Sequence, residues 1–369
     1  MRWLGRDPSR VISSTQSLHP VARRVAYGAL LRQVHTCVDR MRSSILGSVF
    51  HLEDDMSRHL IELPSAERDQ FSFRPLVSKH RIHDLNLTGD DELIALLDAY
   101  PRERLQAFTM GTDRCRRDDW HYVDASASSG KEIFAAVMRG RLWLNLLRVD
   151  LVDRRYGEVI RQITSDLQQQ CKRLGLLSIN FGTLLISSPN AMVYYHFDAN
   201  HQSLWHLRGS KRIWLYPACD ERFASRQIME EIFSGTYDYD EEIPYAPEFD
   251  EHAVVYQLEP GDVVSWPQNA PHRIENLDTL NVSLSTGFVT EAADRRHLIY
   301  SANHLFRSRF GLRTVSTRET GLAASAKCAA YRLFRRAGWL PKGKGGTRNY
   351  PRDLRVDPVA PLGFSPLER

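Results

Sequence analysis

Tyr194-Tyr195-His196-Phe197-Asp198-Ala199-Asn200-His201-Gln202-Ser203-Leu204-Trp205-His206-Leu207-Arg208-Gly209-Ser210-Lys211 is the stretch that decides how this chain is read. His196 and Asp198 are two apart, so on an extended strand both side chains leave by one face. An imidazole and a carboxylate on one face make half of a metal site. The other half comes later. Glu259-Pro260-Gly261-Asp262 turns into the apolar run Val263-Val264-Ser265-Trp266-Pro267, and Pro271-His272 follows. Two histidines and one carboxylate are the ligand set of a non-haem Fe(II) centre, which leaves three metal positions open.

Outward from these residues the period is that of strands. Residues 184–186, 192–198, 204–207, 211–216, 254–258, 262–266, 272–275 and 281–286 each read as a short strand. Arg208-Gly209-Ser210 predicts a hairpin between two of them. Many short strands with close turns indicate a jelly roll or barrel. Helical patterns flank them. Residues 91–100, 131–138 and 153–174 precede the strands, and the last carries Tyr156, Ile160, Ile163, Leu167, Cys171 and Leu174 on one face with Gly175 behind it. Residues 21–46, 292–310 and 322–337 are further helices. From Pro341 onward Lys, Gly and Pro dominate, and no order is expected. Three segments follow: a helical segment at 1–70, the strand-rich body at 71–290, and a basic helical segment with a tail at 291–369.

Taken together, His196-x-Asp198, Arg208-Gly209-Ser210-Lys211 and Pro260-Gly261-Asp262 with Pro267 through Pro271-His272 resemble the JmjC/cupin-like Fe(II)/2-oxoglutarate-dependent oxygenases, near the asparaginyl-hydroxylase-like bacterial members. The resemblance covers residues 71–289, best from Phe181 onward. It implies a mainly β fold, a double-stranded β-helix (jelly roll) core with flanking helices. It implies Fe(II) held by His196, Asp198 and His272, and 2-oxoglutarate and O₂ as co-substrates. It also implies hydroxylation of a C–H bond with release of succinate and CO₂.

Under that resemblance Lys211 supplies the cation for the far carboxylate of 2-oxoglutarate, as a point charge deep in an apolar barrel. Leu185, Leu204 and Ile274 fall where the family lines its pocket, and His206 shares parity with Leu204. Tyr194 shares the His196 face by alternation and is placed to donate a hydrogen bond to 2-oxoglutarate. Gln202 is assigned to the co-substrate by spacing. Ser285, on one face with Asn281 and Ser283, is assigned to the co-substrate beside the metal, as is Leu204 on the pocket wall. His201 reads as a loop histidine in water. Trp205 and Trp214 read as sheet-packing residues.

Composition bounds the rest. The chain has 369 residues, of which 42% are hydrophobic and 25% charged, as in an ordinary globular protein. Its five cysteines are scattered, with no C-x-x-C, which argues for a reducing compartment and against a zinc finger or disulfide framework. No apolar run approaches a membrane span. Residues 1–21 bear Arg without a continuous apolar stretch, which argues against a secretory signal and for a cytoplasmic chain. The net charge of +4 hides an asymmetry: residues 295–369 hold sixteen Lys+Arg and four Asp+Glu, net +12, so the remainder is net −8. A basic segment can bind nucleic acid, anionic lipid or an acidic partner, and a solvated helical tail is the plainer reading. The resemblance adds dimer contacts through the C-terminal helices. Residues 219–251 hold eleven acids and two bases, either a wall that favours a cationic substrate or a solvated connection.

The substrate class stays open among protein, peptide and small molecule. Two rival readings stand beside the oxygenase. One is a cupin-type metalloenzyme without 2-oxoglutarate. The other is a non-enzymatic regulator of the JmjC fold.

Overall fold

The computed structural model describes residues 59–116, 119–236, 243–312, 315–340 and 351–367. They belong to one compact unit, Arg58–Arg369. The helix expected at 21–46 lies outside the described residues. Fourteen strands are present among them: β1 (Leu76–Lys79), β2 (Leu105–Thr109), β3 (Val123–Asp124), β4 (Leu142–Leu147), β5 (Leu176–Ser187), β6 (Met192–His196), β7 (His201–Arg208), β8 (Lys211–Leu215), β9 (Val254–Leu258), β10 (Asp262–Ser265), β11 (His272–Asn276), β12 (Asn281–Thr290), β13 (Leu354–Val356) and β14 (Phe364–Pro366). Six helices longer than two turns accompany them: α1 (Asp90–Ala99), α2 (Gly130–Arg139), α3 (Arg154–Gln170), α4 (Arg226–Ser234), α5 (Glu291–Phe310) and α6 (Leu322–Arg336).

Two antiparallel sheets form the jelly-roll body. One runs β1-β10-β7-β12-β5-β4-β2 and the other β6-β11-β8-β9. A single apolar cluster takes Leu204, Val264, Val77 and Leu185 from the first sheet and Ile213, Leu215, Leu258, Ile274 and Val193 from the second. The two sheets therefore face each other across one core. Cross-strand partners share a face, so the register extends this inner surface. Ser285 pairs with Leu204, Ser283 with Leu185 and His206, and Gln202 with Gly287. The face that carries Ser283 and Ser285 is thus inward.

The outer face of the larger sheet is covered by α3, which buries Tyr156, Val159, Ile160, Ile163 and Leu167. The fit is close enough that a Cβ at Gly182 on β5 would stand 2.2 Å from Ile160 Cδ1. Asp153 caps the helix start. The chain before β1 is tied to the same helix, since buried Asp166 accepts from Leu60 N–H at 2.7 Å and Ile61 N–H at 3.2 Å.

Two expectations are corrected. Gly209 does not close a hairpin: β7 belongs to the seven-stranded sheet and β8 to the four-stranded one. Gly209 has φ +87°, and a Cβ there would lie 2.2 Å from the Leu280 carbonyl oxygen. A glycine lets the chain cross from one sheet to the other in a few residues. The tail is also ordered over 351–367. β13 pairs with β14 and, in parallel, with β3. Backbone bonds from Tyr122 to Pro351 and from Arg141 to Leu362 hold it to the body.

Candidate metal centre

β6 and β11 set the site. His196 pairs with His272 and Val193 with Ile274, with a register shift between. Three positions on β6 thus match two on β11, which is a β-bulge. The extra residue puts Val193 and His196 on the inner face and breaks the alternation that placed Tyr194 beside His196. Tyr194 packs instead among Phe108, Met110, Trp120 and Ala191, where its hydroxyl accepts from Gly111 N–H at 3.2 Å.

His196, Asp198 and His272 offer ligand atoms that all lie within 4.8 Å of one another. His272 Nε2 is 3.4 Å from an Asp198 oxygen, and the two imidazole centroids are 4.2 Å apart. Each Nδ1 faces a backbone carbonyl, Tyr194 O at 2.7 Å from His196 and Ala270 O at 3.1 Å from His272. An Nδ1–H that donates to a carbonyl fixes the tautomer and leaves the Nε2 lone pair for a metal. Burial pushes the His272 imidazole down to about 4, so it stays neutral as a ligand must. Burial pushes the Asp198 carboxyl up, against His196 and a hydrogen bond from Gln202. The donor set and these backbone bonds fit a divalent cation of the Fe(II) type.

Sequence reasoning missed the loop that fixes Asp198. Asn269 Nδ2 donates to Asp198 O at 2.8 Å and Gln268 Nε2 to Ala199 O at 2.8 Å. Asn269 sits at φ +63°, a left-handed position that Asn tolerates, and its place in Pro267-Gln268-Asn269-Ala270-Pro271 was the available signal. The Trp266 ring lies 4.7 Å from His272.

The other predicted residues divide. Gln202 and Ser285 meet: Ser285 Oγ donates to Gln202 Oε1 at 2.8 Å, and Gln202 reaches Asp198. Leu204 and Ile274 are buried in the inner cluster, with Leu185 half-buried against it. His206 is fully buried and satisfied, with Ser283 Oγ at 3.0 Å and Gly209 O at 2.9 Å. His201 is not a loop histidine in water. It opens β7, is 6% exposed and has its ring 6.4 Å from Phe73.

Lys211 is the informative position. It pairs with Leu258 and Asn276 on the inner face of the four-stranded sheet, in step with buried Ile213 and Leu215. It is 3% exposed, and its ammonium makes no hydrogen bond or ion pair among the described residues. Burial alone lowers it to about 7. Leu215 pairs with His272 and Lys211 with Asn276, so four strand residues separate Lys211 from the metal level. That is about 13 Å at ~3.3 Å per residue.

The outer face of β11 contrasts with this. Arg273 stands 3.5 Å over the Trp214 ring and bonds Asp250 at 2.6 Å and Glu275 at 2.5 Å. Tyr216 and Tyr245 hydroxyls also donate to Asp250. Burial pushes the Asp250 carboxyl up, but bonds from Arg273, Tyr216 and Tyr245 outweigh it and hold the group below its ordinary value. Trp214 thus serves this stack as well as sheet packing. Among the described residues of the acidic segment, Asp220 pairs with Arg222, Glu221 with Arg226, and buried Glu230 with Arg307. Asp238, Asp240, Glu241 and Glu242 lie outside the described residues.

No family model and no curated protein matches the chain. Among solved structures it is similar to the Escherichia coli ribosomal oxygenase YcfD, at 14% identity over 80% of this chain and 74% of that one, TM-score 0.43. A complex of YcfD with cobalt and 2-oxoglutarate overlaps at 14% identity over 76% and 70%, TM-score 0.40. An oxalate decarboxylase overlaps at 17% identity over 36% and 28%, TM-score 0.20. At that overlap the functional reading rests on the chain's own site.

Proposed function

We propose that this chain is an Fe(II)- and 2-oxoglutarate-dependent oxygenase that hydroxylates a C–H bond of a protein, peptide or small-molecule substrate. The observation that carries the reading is Lys211: a buried, inward ammonium without a hydrogen-bond or ion-pair partner among the described residues, in the same barrel as the His196, Asp198 and His272 cluster. A buried cation with no counter-charge is costly unless a ligand supplies one. The gap of about 13 Å suits a five-carbon diacid met by a lysine side chain reaching back. Bound iron with 2-oxoglutarate and O₂ would supply an oxidant for an unactivated C–H bond, with succinate and CO₂ as by-products.

The protein's own part is positional. His196, Asp198 and His272 would hold the metal, aimed by the Tyr194 and Ala270 carbonyls and the Asn269 bond. Gln202 and Ser285 orient the Asp198 carboxylate. Lys211 would hold the distal carboxylate, while Leu204, Ile213 and Ile274 keep water from it. A metalloenzyme that does not use 2-oxoglutarate would leave Lys211 without an anion. A non-enzymatic regulator would have no use for a complete ligand set.

Succinate formation from 2-oxoglutarate, followed against a peptide and metabolite panel, tests the reading. Turnover that needs Fe(II) and O₂ and is lost in His196→Ala is expected. Absence of 2-oxoglutarate binding to metal-loaded wild type would overturn it in favour of the metal-only rival.

A further inference from the structure

We propose that the paired helices α5 and α6 are a docking face for an anionic phospholipid surface. The two helices bury Leu298, Ile299, Ala302 and Leu305 against Ala324, Cys328 and Tyr331. Their other side stays apolar and open. Leu322 is 92% exposed, Leu333 68%, Trp339 70%, Phe310 54% and Leu312 50%. Leu322 and Leu333 are eleven residues apart, which is close to three whole turns at about 100° per residue, so they share one stripe of α6. Ala326 and Ala329, both exposed, lie on the same stripe between them. Ring contacts from Phe306 to Phe310 at 6.3 Å, Phe310 to Phe334 at 6.3 Å and Phe334 to Trp339 at 5.6 Å carry the apolar surface across both helices.

The charge on this face is one-signed and unpaired. Arg309, Arg332 and Arg336 are exposed, and none of their guanidinium groups makes an ion pair or hydrogen bond among the described residues. On the same helix pair Arg296 and Arg307 are paired, with Glu319 and Glu230. Exposed Leu, Phe and Trp side chains bordered by arginine are what an interfacial helix presents to a bilayer surface.

Other occupants fit less well. Nucleic acid would use the arginines, but phosphates give aliphatic Leu312, Leu322 and Leu333 nothing to pack on. A two-fold pairing buries the same patch from both copies and so brings the unpaired arginines of each into one interface with no acid to meet them. Among the described residues no helix is long and apolar enough to cross a membrane, so the contact is peripheral.

Flotation of the full chain tests this, with vesicles of phosphatidylcholine alone and of phosphatidylcholine mixed with phosphatidylglycerol. The expected result is co-flotation with the mixed vesicles only, weakened by salt. Leu333→Glu with Trp339→Glu should cut partitioning at least tenfold, and Arg332→Ala or Arg336→Ala by about fivefold each, from ~1 kcal/mol per basic residue at an anionic surface. All four residues are exposed, so metal content and thermal unfolding should not move. Absence of flotation with mixed vesicles overturns the proposal. So does a dimer that Leu333→Glu dissociates without any lipid binding, which assigns the face to a second copy. Retention on a single-stranded RNA oligonucleotide in place of vesicles overturns it in favour of nucleic acid.

Discussion

Two buried cations stand on neighbouring strands of the four-stranded sheet, on opposite faces. Arg273, outward on β11, is surrounded by Asp250, Glu275, two tyrosine hydroxyls and the Trp214 ring. Lys211, inward on β8 in step with Ile213 and Leu215, lies near His206 and has no counter-charge among the described residues. The two are about equally buried, at 2% and 3% exposure. A buried charge with all its partners in the chain is architecture, because breaking it leaves an uncompensated ion. A buried charge with none is, on the proposed reading, half of an interaction whose other half arrives as a ligand. His272 and Arg273 are consecutive, so β11 carries one member of the His-Asp-His cluster on one face and a structural anchor on the other.

The contrast can be broken by removing partners from each face in turn. The largest effect belongs to the inner cluster. His196→Ala, Asp198→Ala and His272→Ala should each take iron content from about one per chain to a small fraction of that, because two remaining ligands make a poor site. Metal analysis reads this directly, and His201→Ala should leave the content unchanged.

Asp250→Ala comes next. It removes one of the two carboxylates on the Arg273 guanidinium, leaving Glu275, and should cost about 1.5–3 kcal/mol in denaturant unfolding. The sign with pH follows from the depressed Asp250 carboxyl. Its stabilisation is present above the ordinary carboxylate range and is lost only as pH falls through the lowered folded value. Unfolding of wild type and variant should therefore converge in strong acid. Lys211→Met is the counterpart. With no partner to strand, it should leave the metal-free protein within about 1 kcal/mol of wild type, or stabilise it.

The smallest effect is a proton. Burial lowers Lys211 from 10.5 to about 7, so near pH 8 the free protein holds it mostly neutral. A bound dicarboxylate restores the charge, so binding should take up close to one proton at about that pH. Affinity should then decline as pH rises above 7. Calorimetry in buffers of different ionisation heat measures the uptake, and none would separate Lys211 from the ligand.

What the sequence made legible and what it hid follow from range. His196, Asp198 and His272 carry ligand chemistry in their residue types, and the strand pattern around them was enough to expect convergence. The bulge between Val193 and His196 was hidden, because one extra residue in a strand leaves no mark on composition yet moves Tyr194 to another face. Gly209 was ambiguous, since the same glycine turn serves a hairpin or a crossing between sheets. The Arg273–Asp250 anchor joins a strand to a segment 23 residues earlier, which no local period reveals. β13 and β14 have three residues each, too few for alternation to show against a Lys-, Gly- and Pro-rich background.

The central claim, that Lys211 waits for the distal carboxylate of 2-oxoglutarate, is tested by calorimetric titration of Mn(II)-loaded wild type and Lys211→Ala. A charged hydrogen bond in a partly dry pocket contributes roughly 1.5–3 kcal/mol, and an unpaired carboxylate costs more. The account predicts unchanged metal content and an affinity lower by roughly ten- to a few-hundredfold, with partial recovery in Lys211→Arg. Wild-type affinity in Lys211→Ala would contradict it.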